Sequence, residues 1–345
     1  MTPARFAGVL SAAVTLGVAA ACSDGGSPVD PGGCAADLTT GIAAYDLDGL
    51  DVHAVLPTST SSCIVANADS HFVAVDPSAQ PSGRLFVFLP GSAARARNYR
   101  KIAFAAARAG YPAIVLTYVN DLPVGVRCAF GTGDCYEEVR REIITGVDAS
   151  SRLTVGPDDA IEGRLVHLLT AMESLDPGSG WSTFHDGASP RWDRISVAGH
   201  SQGGGHSLFL SRETTVFRAT AYSSAGDLEP LSATPVPWLD GSWATPAERI
   251  GGFISEDDEV VSPSGAIAAW TRIGLDDFGG PVSVDENAAP WAGARMLTTR
   301  APPRNAGAVF TPHHGVTVVD GLTPLEPDGA PTFGPVWAAL SFPGS

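Results

Sequence analysis

The chain has 345 residues, 44% of them hydrophobic, enough for a large buried core and too many for a chain disordered throughout. Its formal charge of −16 sets nucleic acid and anionic membrane surfaces aside as partners, because the long-range field repels both.

The opening residues, "MTPARFAGVLSAAVTLGVAAAC", carry one positive charge at Arg5, an apolar stretch over residues 6–21 and small residues before Cys22. This is the layout of an export signal over residues 1–22, and its apolar stretch is short for a membrane span. A small-residue run ending in cysteine resembles the lipobox of bacterial lipoproteins, in which that cysteine is lipidated; Ala19 stands where a leucine-like residue is usual. Two fates are open: lipid attachment at Cys22, the only membrane contact expected, or cleavage after Ala21 and release. Residues 23–44 begin with "SDGGSPVDPGG" and are expected to be a flexible tether, leaving 45–345 as the folded domain.

With Cys22 assigned to lipid, the remaining cysteines form an even set suited to an oxidising compartment. Pairing by proximity in sequence gives Cys34–Cys63 and Cys128–Cys135. The smaller loop, "CAFGTGDC", contributes about 2.5 kcal/mol in the chain-entropy model. The pairs lack the spacing of a zinc knuckle and have no histidine close by.

Beyond the tether, strands and helices alternate. "SHFVAVD" (70–76) and "GRLFVFLPG" (83–91) are short apolar runs bounded by Pro or Gly and read as strands. "NYRKIAFAAARAG" reads as a helix stopping at Gly110, and "YPAIVLTYVN" as a strand. Helical periodicity follows over 135–147 and 158–175. "RISVAG" is a strand with a helix from Gln202; "FRATAYSSA" and "RIGGFIS" are strands, "SGAIAAWTRIG" is a helix, and "AGAVFTPHHGVTVVD" is expected to hold the last strand. The alternation predicts a mostly parallel α/β sheet with helices on both faces. Two irregular segments, 177–191 and 227–247, have Trp181, Trp192, Trp238 and Trp243 in or beside them. They are expected to build a lid or binding wall, or else to plug gaps over the core.

In "RISVAGHSQGGGHSLFL" an apolar run breaks at Gly199-His200-Ser201-Gln202-Gly203 and a helix begins at once. Gly-x-Ser-x-Gly between strand and helix is the pattern of a nucleophile elbow. The glycines permit a turn too tight for a Cβ, and the serine is held strained above the sheet with the helix N-terminus facing the developing oxyanion. Serine needs a base, so a histidine and an acid must follow in the order Ser, Asp, His. "EDDEVV" offers Glu256, Asp257, Asp258 and Glu259, and "TPHHGVTVVD" offers His313 and His314.

These stretches, with "FLPGS", make residues 45–345 resemble the α/β-hydrolase superfamily, and within it the secreted bacterial serine esterases and lipases. The resemblance implies an α/β-hydrolase fold with a loop-built lid. Setting "SEDDEVVS" on the family's G-x-x-D-x-x-V-P implies Asp258 as the acid, with Ser255 in the glycine slot and Asp257 as the alternative. It implies backbone N–H groups of Ser92 and Gln202 as the oxyanion donors, and His314 as the base. Neighbours on a strand point to opposite faces and Gly315 leaves room for a tight loop, which also favours His314 over His313. No metal or organic cofactor is called for. The substrate is expected to be a small-molecule or polymeric ester, and the protein a monomer. An acyltransferase or peptidase on the same residues, and a catalytically inactive surface-binding lipoprotein, are the alternatives. His200 and His206 read as substrate contacts or helix-packing residues. Asp134, Glu137 and Glu138 read as a calcium site or a solvated helix N-terminus, and Phe130 and Tyr136 as candidates to line the site.

Overall fold

Runs of β-branched and aromatic residues pair into a ten-stranded sheet: β1 (Ile42–Leu47), β2 (Leu50–Val55), β3 (His71–Val75), β4 (Leu85–Leu89), β5 (Ala113–Val115), β6 (Ile195–His200), β7 (Arg218–Tyr222), β8 (Ile250–Ser255), β9 (Val282–Ser283) and β10 (Met296–Thr299). The structure is a computed structural model and describes residues 34–129, 134–229 and 231–344. Cys22, the expected signal and Phe130 lie outside the described residues.

The strand order is β1-β2-β3-β5-β4-β6-β7-β8-β10-β9. The β1/β2, β2/β3 and β3/β5 pairs are antiparallel, and every pair from β5 to β9 is parallel. Alternation along β4 shows how the sheet separates two cores. Leu85, Val87 and Leu89 face one, and Phe86 and Phe88 the other. On the first face lie α2 (Asp134–Thr145), α3 (Ile161–Leu175), α4 (Gln202–Glu213) and α5 (Pro263–Arg272), the helices that supply Val139, Leu168, Leu208 and Trp270 to that core. On the second lie α1 (Arg100–Arg108) and α6 (Gly334–Ser341), through Ile102, Ala106 and Trp337. Helices on both faces of a mostly parallel sheet, with a strand–serine–helix turn at its centre, make this an α/β-hydrolase fold.

The last strand is not where the sequence suggests. "GVTVVD" is β-branched, yet the chain from Pro312 is a helical turn (Pro312–Gly315) followed by tight turns, with Val318 N–H donating to Gly315 O at 3.3 Å. Val316, Thr317 and Val318 are all fully buried, so nothing there alternates. The parallel strand beyond β8 is "MLTT" of β10, too short to stand out. Residues 34–44, expected in the tether, belong to the same compact unit as the sheet. Cys34 is disulfide-bonded to Cys63, and Ile42 pairs with Val55.

Candidate active site

Ser201 leaves β6 with φ 53° and ψ −117°, in a region L-residues rarely adopt, and caps α4. Its neighbours leave no alternative. A Cβ on Gly199 would overlap the Gly203 carbonyl, and a Cβ on Gly203 the Leu89 carbonyl. The turn is also fastened across the sheet, since the Ser201 N–H donates to Tyr222 O of β7 at 2.9 Å.

The expected acid and base come from segments that follow β8 and β10. The Asp258 carboxylate is fully buried and accepts the N–H groups of Val260 (2.9 Å) and Val261 (2.8 Å) on Oδ1. Both of its oxygens lie 3.0 Å from His314 Nδ1. That contact places the proton on Nδ1 and leaves Nε2 free to accept one. Asp257 is exposed and touches neither histidine. His313 turns away: its Nδ1 lies 2.9 Å from Glu259 Oε1, and it lines neither cavity beside Ser201. The two histidines sit in one helical turn and not on a strand end, so the helical rotation separates them. Gly315 is close-packed, because a Cβ there would overlap the Leu322 side chain.

Three groups whose positioning roles the sequence does not reveal hold the segment that carries His314. Glu259 accepts the backbone N–H of His314 at 2.8 Å and that of His313 at 3.1 Å. Burial pushes the Glu259 carboxyl up, and the hydrogen bonds from His313 and His314 more than offset it, leaving it below its usual value. On the other side, His200 Nε2 lies 2.9 Å from the His314 carbonyl, which fixes the tautomer: Nε2–H donates, and Nδ1 accepts from the Tyr99 hydroxyl at 3.0 Å. Burial, then the neighbouring His314, push His200 down to about 3, so it stays neutral and adds no charge against an imidazolium. Tyr99 in turn accepts the Gly91 N–H at 3.2 Å, which joins the base segment to the loop carrying Ser92.

That loop is pinned. Asn120 Nδ2 donates to Gly91 O (2.7 Å) and Ala94 O (2.9 Å), and Tyr118 to Pro90 O (2.7 Å). The Ser92 hydroxyl donates to Gln202 Oε1 at 2.8 Å, so the two residues expected as oxyanion donors are neighbours in space.

Beneath the elbow, the guanidinium of Arg140 grips Asp227 in two places, at 2.5 and 2.8 Å, and reaches Gln202 O at 3.2 Å and His206 Nδ1 at 3.2 Å. His206 is therefore a packing residue. Neither Arg140 nor Asp227 stands out in the sequence; an arginine inside an apolar helical face was the available signal. Glu137 bonds Arg141 at 2.8 Å, as a surface helix residue does. Of the two irregular segments, 227–247 lines the site through Asp227 and Leu228, whereas Trp181 and Phe184 of 177–191 pack into the core. Disulfides join Cys34 to Cys63 and Cys128 to Cys135, the latter bracing the wall at Pro123 and Val124 against α2.

Two cavities flank Ser201 and share Ser92, Pro123 and Val260 as walls, one of about 210 Å³ and one of about 500 Å³. His200 and His314 line the larger; Tyr136, Arg140 and Asp227 line the smaller.

No family model and no curated protein matches the chain. Among solved structures it is similar to Thermogutta terrifontis esterase 2 phosphoramylated by tabun, at 14% identity and a TM-score of 0.37, over 67% of this chain and 81% of that one. So slight a likeness bears on nothing chemical.

Proposed function

We propose that this chain is a serine hydrolase that cleaves carboxylic esters through a Ser201–His314–Asp258 triad and an acyl-enzyme. The observation that carries the reading is the buried Asp258 carboxylate set 3.0 Å from His314 Nδ1, on a base that shares a cavity with the strained Ser201. Ser201 Oγ attacks the ester carbonyl while His314 Nε2 takes its proton. The oxyanion is met by the N–H groups of Ser92 and Gln202, the second at the N-terminus of α4. His314 returns the proton to the leaving alcohol, Asp258 stabilises the imidazolium, and water repeats the sequence to release the acid. These steps call on side chains and backbone alone, with no cofactor.

Two disulfides support export to an oxidising compartment. Lipid attachment at Cys22 or release after Ala21 completes that reading. Among the described residues no helix is long and apolar enough to cross a membrane. The test is Ser201→Ala: hydrolysis of p-nitrophenyl esters is expected to fall by about 10³-fold or more with the melting temperature unchanged. Activity kept within about tenfold of wild type would refute the triad.

A further inference from the structure

The two cavities beside Ser201 differ in size, in lining and in their relation to the base. This bears on which ester is cleaved and rests on the triad reading above.

The proton that His314 returns must reach the leaving oxygen, so the alcohol departs on the side that His314 lines, the cavity of about 500 Å³. The acyl group, still bound to Ser201, must then lie in the other cavity. That one holds only about 210 Å³, below the range of about 300–1,000 Å³ usual for drug-sized ligands. Its floor cannot yield. Arg140 and Asp227 have side chains only 1% and 5% exposed and are locked to each other. Trp238 Nε1 holds Asp227 Oδ2 at 2.8 Å, and Arg140 Nη2 also reaches Gly226 O at 3.0 Å. A long apolar chain would have to displace this polar floor, which is costly. An anionic acyl group finds no free counter-charge there, because the guanidinium is already neutralised and its N–H groups point to Asp227, Gln202 O, Gly226 O and His206; the unpartnered Tyr136 hydroxyl and Gln202 Nε2 among the lining residues are neutral donors. The walls of the larger cavity include Ala93, Ala94, Val309, Val319 and Leu322, which suit a bulky apolar alcohol.

We propose that the smaller cavity is the acyl site and selects esters of short, uncharged acids, with the bulkier alcohol in the larger cavity.

The test is the kcat/KM of the full chain on p-nitrophenyl acetate, butyrate, hexanoate and octanoate and on the p-nitrophenyl monoester of succinic acid. Ser201 is followed in parallel with a fluorophosphonate label. Acetate or butyrate is expected to be best, with octanoate and the succinyl ester each at least about tenfold worse. Gly125 lines the smaller cavity, and a Cβ on it meets nothing within 4 Å. Gly125→Leu is therefore expected to lower butyrate relative to acetate by about tenfold while Ser201 still labels. Octanoate or the succinyl ester cleaved as well as butyrate by a chain that labels at Ser201 would overturn the acyl-site assignment alone. A chain that neither labels nor cleaves any ester would overturn the triad reading, and this inference with it.

Discussion

His200 stands between two parts of the site that no sequence pattern connects, the loop that carries Ser92 and the turn that carries His314. Removing its two hydrogen-bonding nitrogens frees the His314 carbonyl, and small displacements of a base are costly in rate. His200→Phe is expected to lower kcat for p-nitrophenyl butyrate by about tenfold to a hundredfold with KM nearly unchanged; a kcat equal to wild type would show that the link holds nothing. At the neighbouring pair, His314→Ala is expected to lose about 10³-fold or more in kcat/KM and His313→Ala to keep most of it, since His313 only answers Glu259. The reverse result would move the base by one residue. Much of this scale was legible. Gly199, Ser201 and Gly203 announce the elbow by spacing, and the order of acid and histidine follows from it. Tyr99 and Asn120 were not, because a side chain that holds a backbone group across the fold leaves no local pattern, and Glu259 showed only as one of four clustered acids.

At the scale of elements, α2 is tied to the site by the buried Arg140–Asp227 pair. Arg140→Met leaves Asp227 buried without its partner and is expected to cost about 3–5 kcal/mol in urea unfolding. A loss below about 1 kcal/mol would mean that water reaches the carboxylate. The N-terminus of α1 is met by Asp320, which accepts the N–H groups of Arg100 (3.1 Å) and Lys101 (3.0 Å). Burial raises this carboxyl from 3.8 to about 6, against those two hydrogen bonds. Between the two values the folded chain binds more protons here than the unfolded one, so this group lowers stability as pH rises through that window, by up to about 3 kcal/mol. The stability of Asp320→Asn relative to wild type is therefore expected to increase between pH of about 4 and about 7; a constant difference would contradict the shift. The sequence yields the central strands and helices because each is an unbroken apolar or periodic run. The β1–β2 hairpin, expected in part as tether and without strands, does carry a signal in its Asp48-Gly49 turn, where both φ are positive, at 55° and 78°. Its strands carry enough apolar side chains to be read, but β1 is exposed along most of its length, so no buried face imposes alternation on it.

Over the whole molecule, the disulfides close loops with sequence separations of 29 and 7 residues, worth about 3.6 and about 2.5 kcal/mol in the chain-entropy model. The protein is expected to show no free thiol at Cys34, Cys63, Cys128 or Cys135 when alkylated unreduced and mapped by mass spectrometry. Alkylation at all four would remove the case for an oxidising compartment. That pairing was legible from proximity in sequence, whereas the division of the site into two unequal cavities was not. The cavities are bounded by β4–α1, the β5–α2 connection, α2, β7–α5 and the turn at His314, segments that only the fold brings together. A nucleophilic Ser201 activated by His314 is what every part of the proposed site serves. Its most direct measurement is the intact mass of the chain after brief exposure to a fluorophosphonate, with the modified peptide sequenced, in wild type and His314→Ala. One adduct per chain is expected, on Ser201, formed at least about 10²-fold more slowly in the variant. An adduct elsewhere, or equal rates in the two proteins, would contradict the triad.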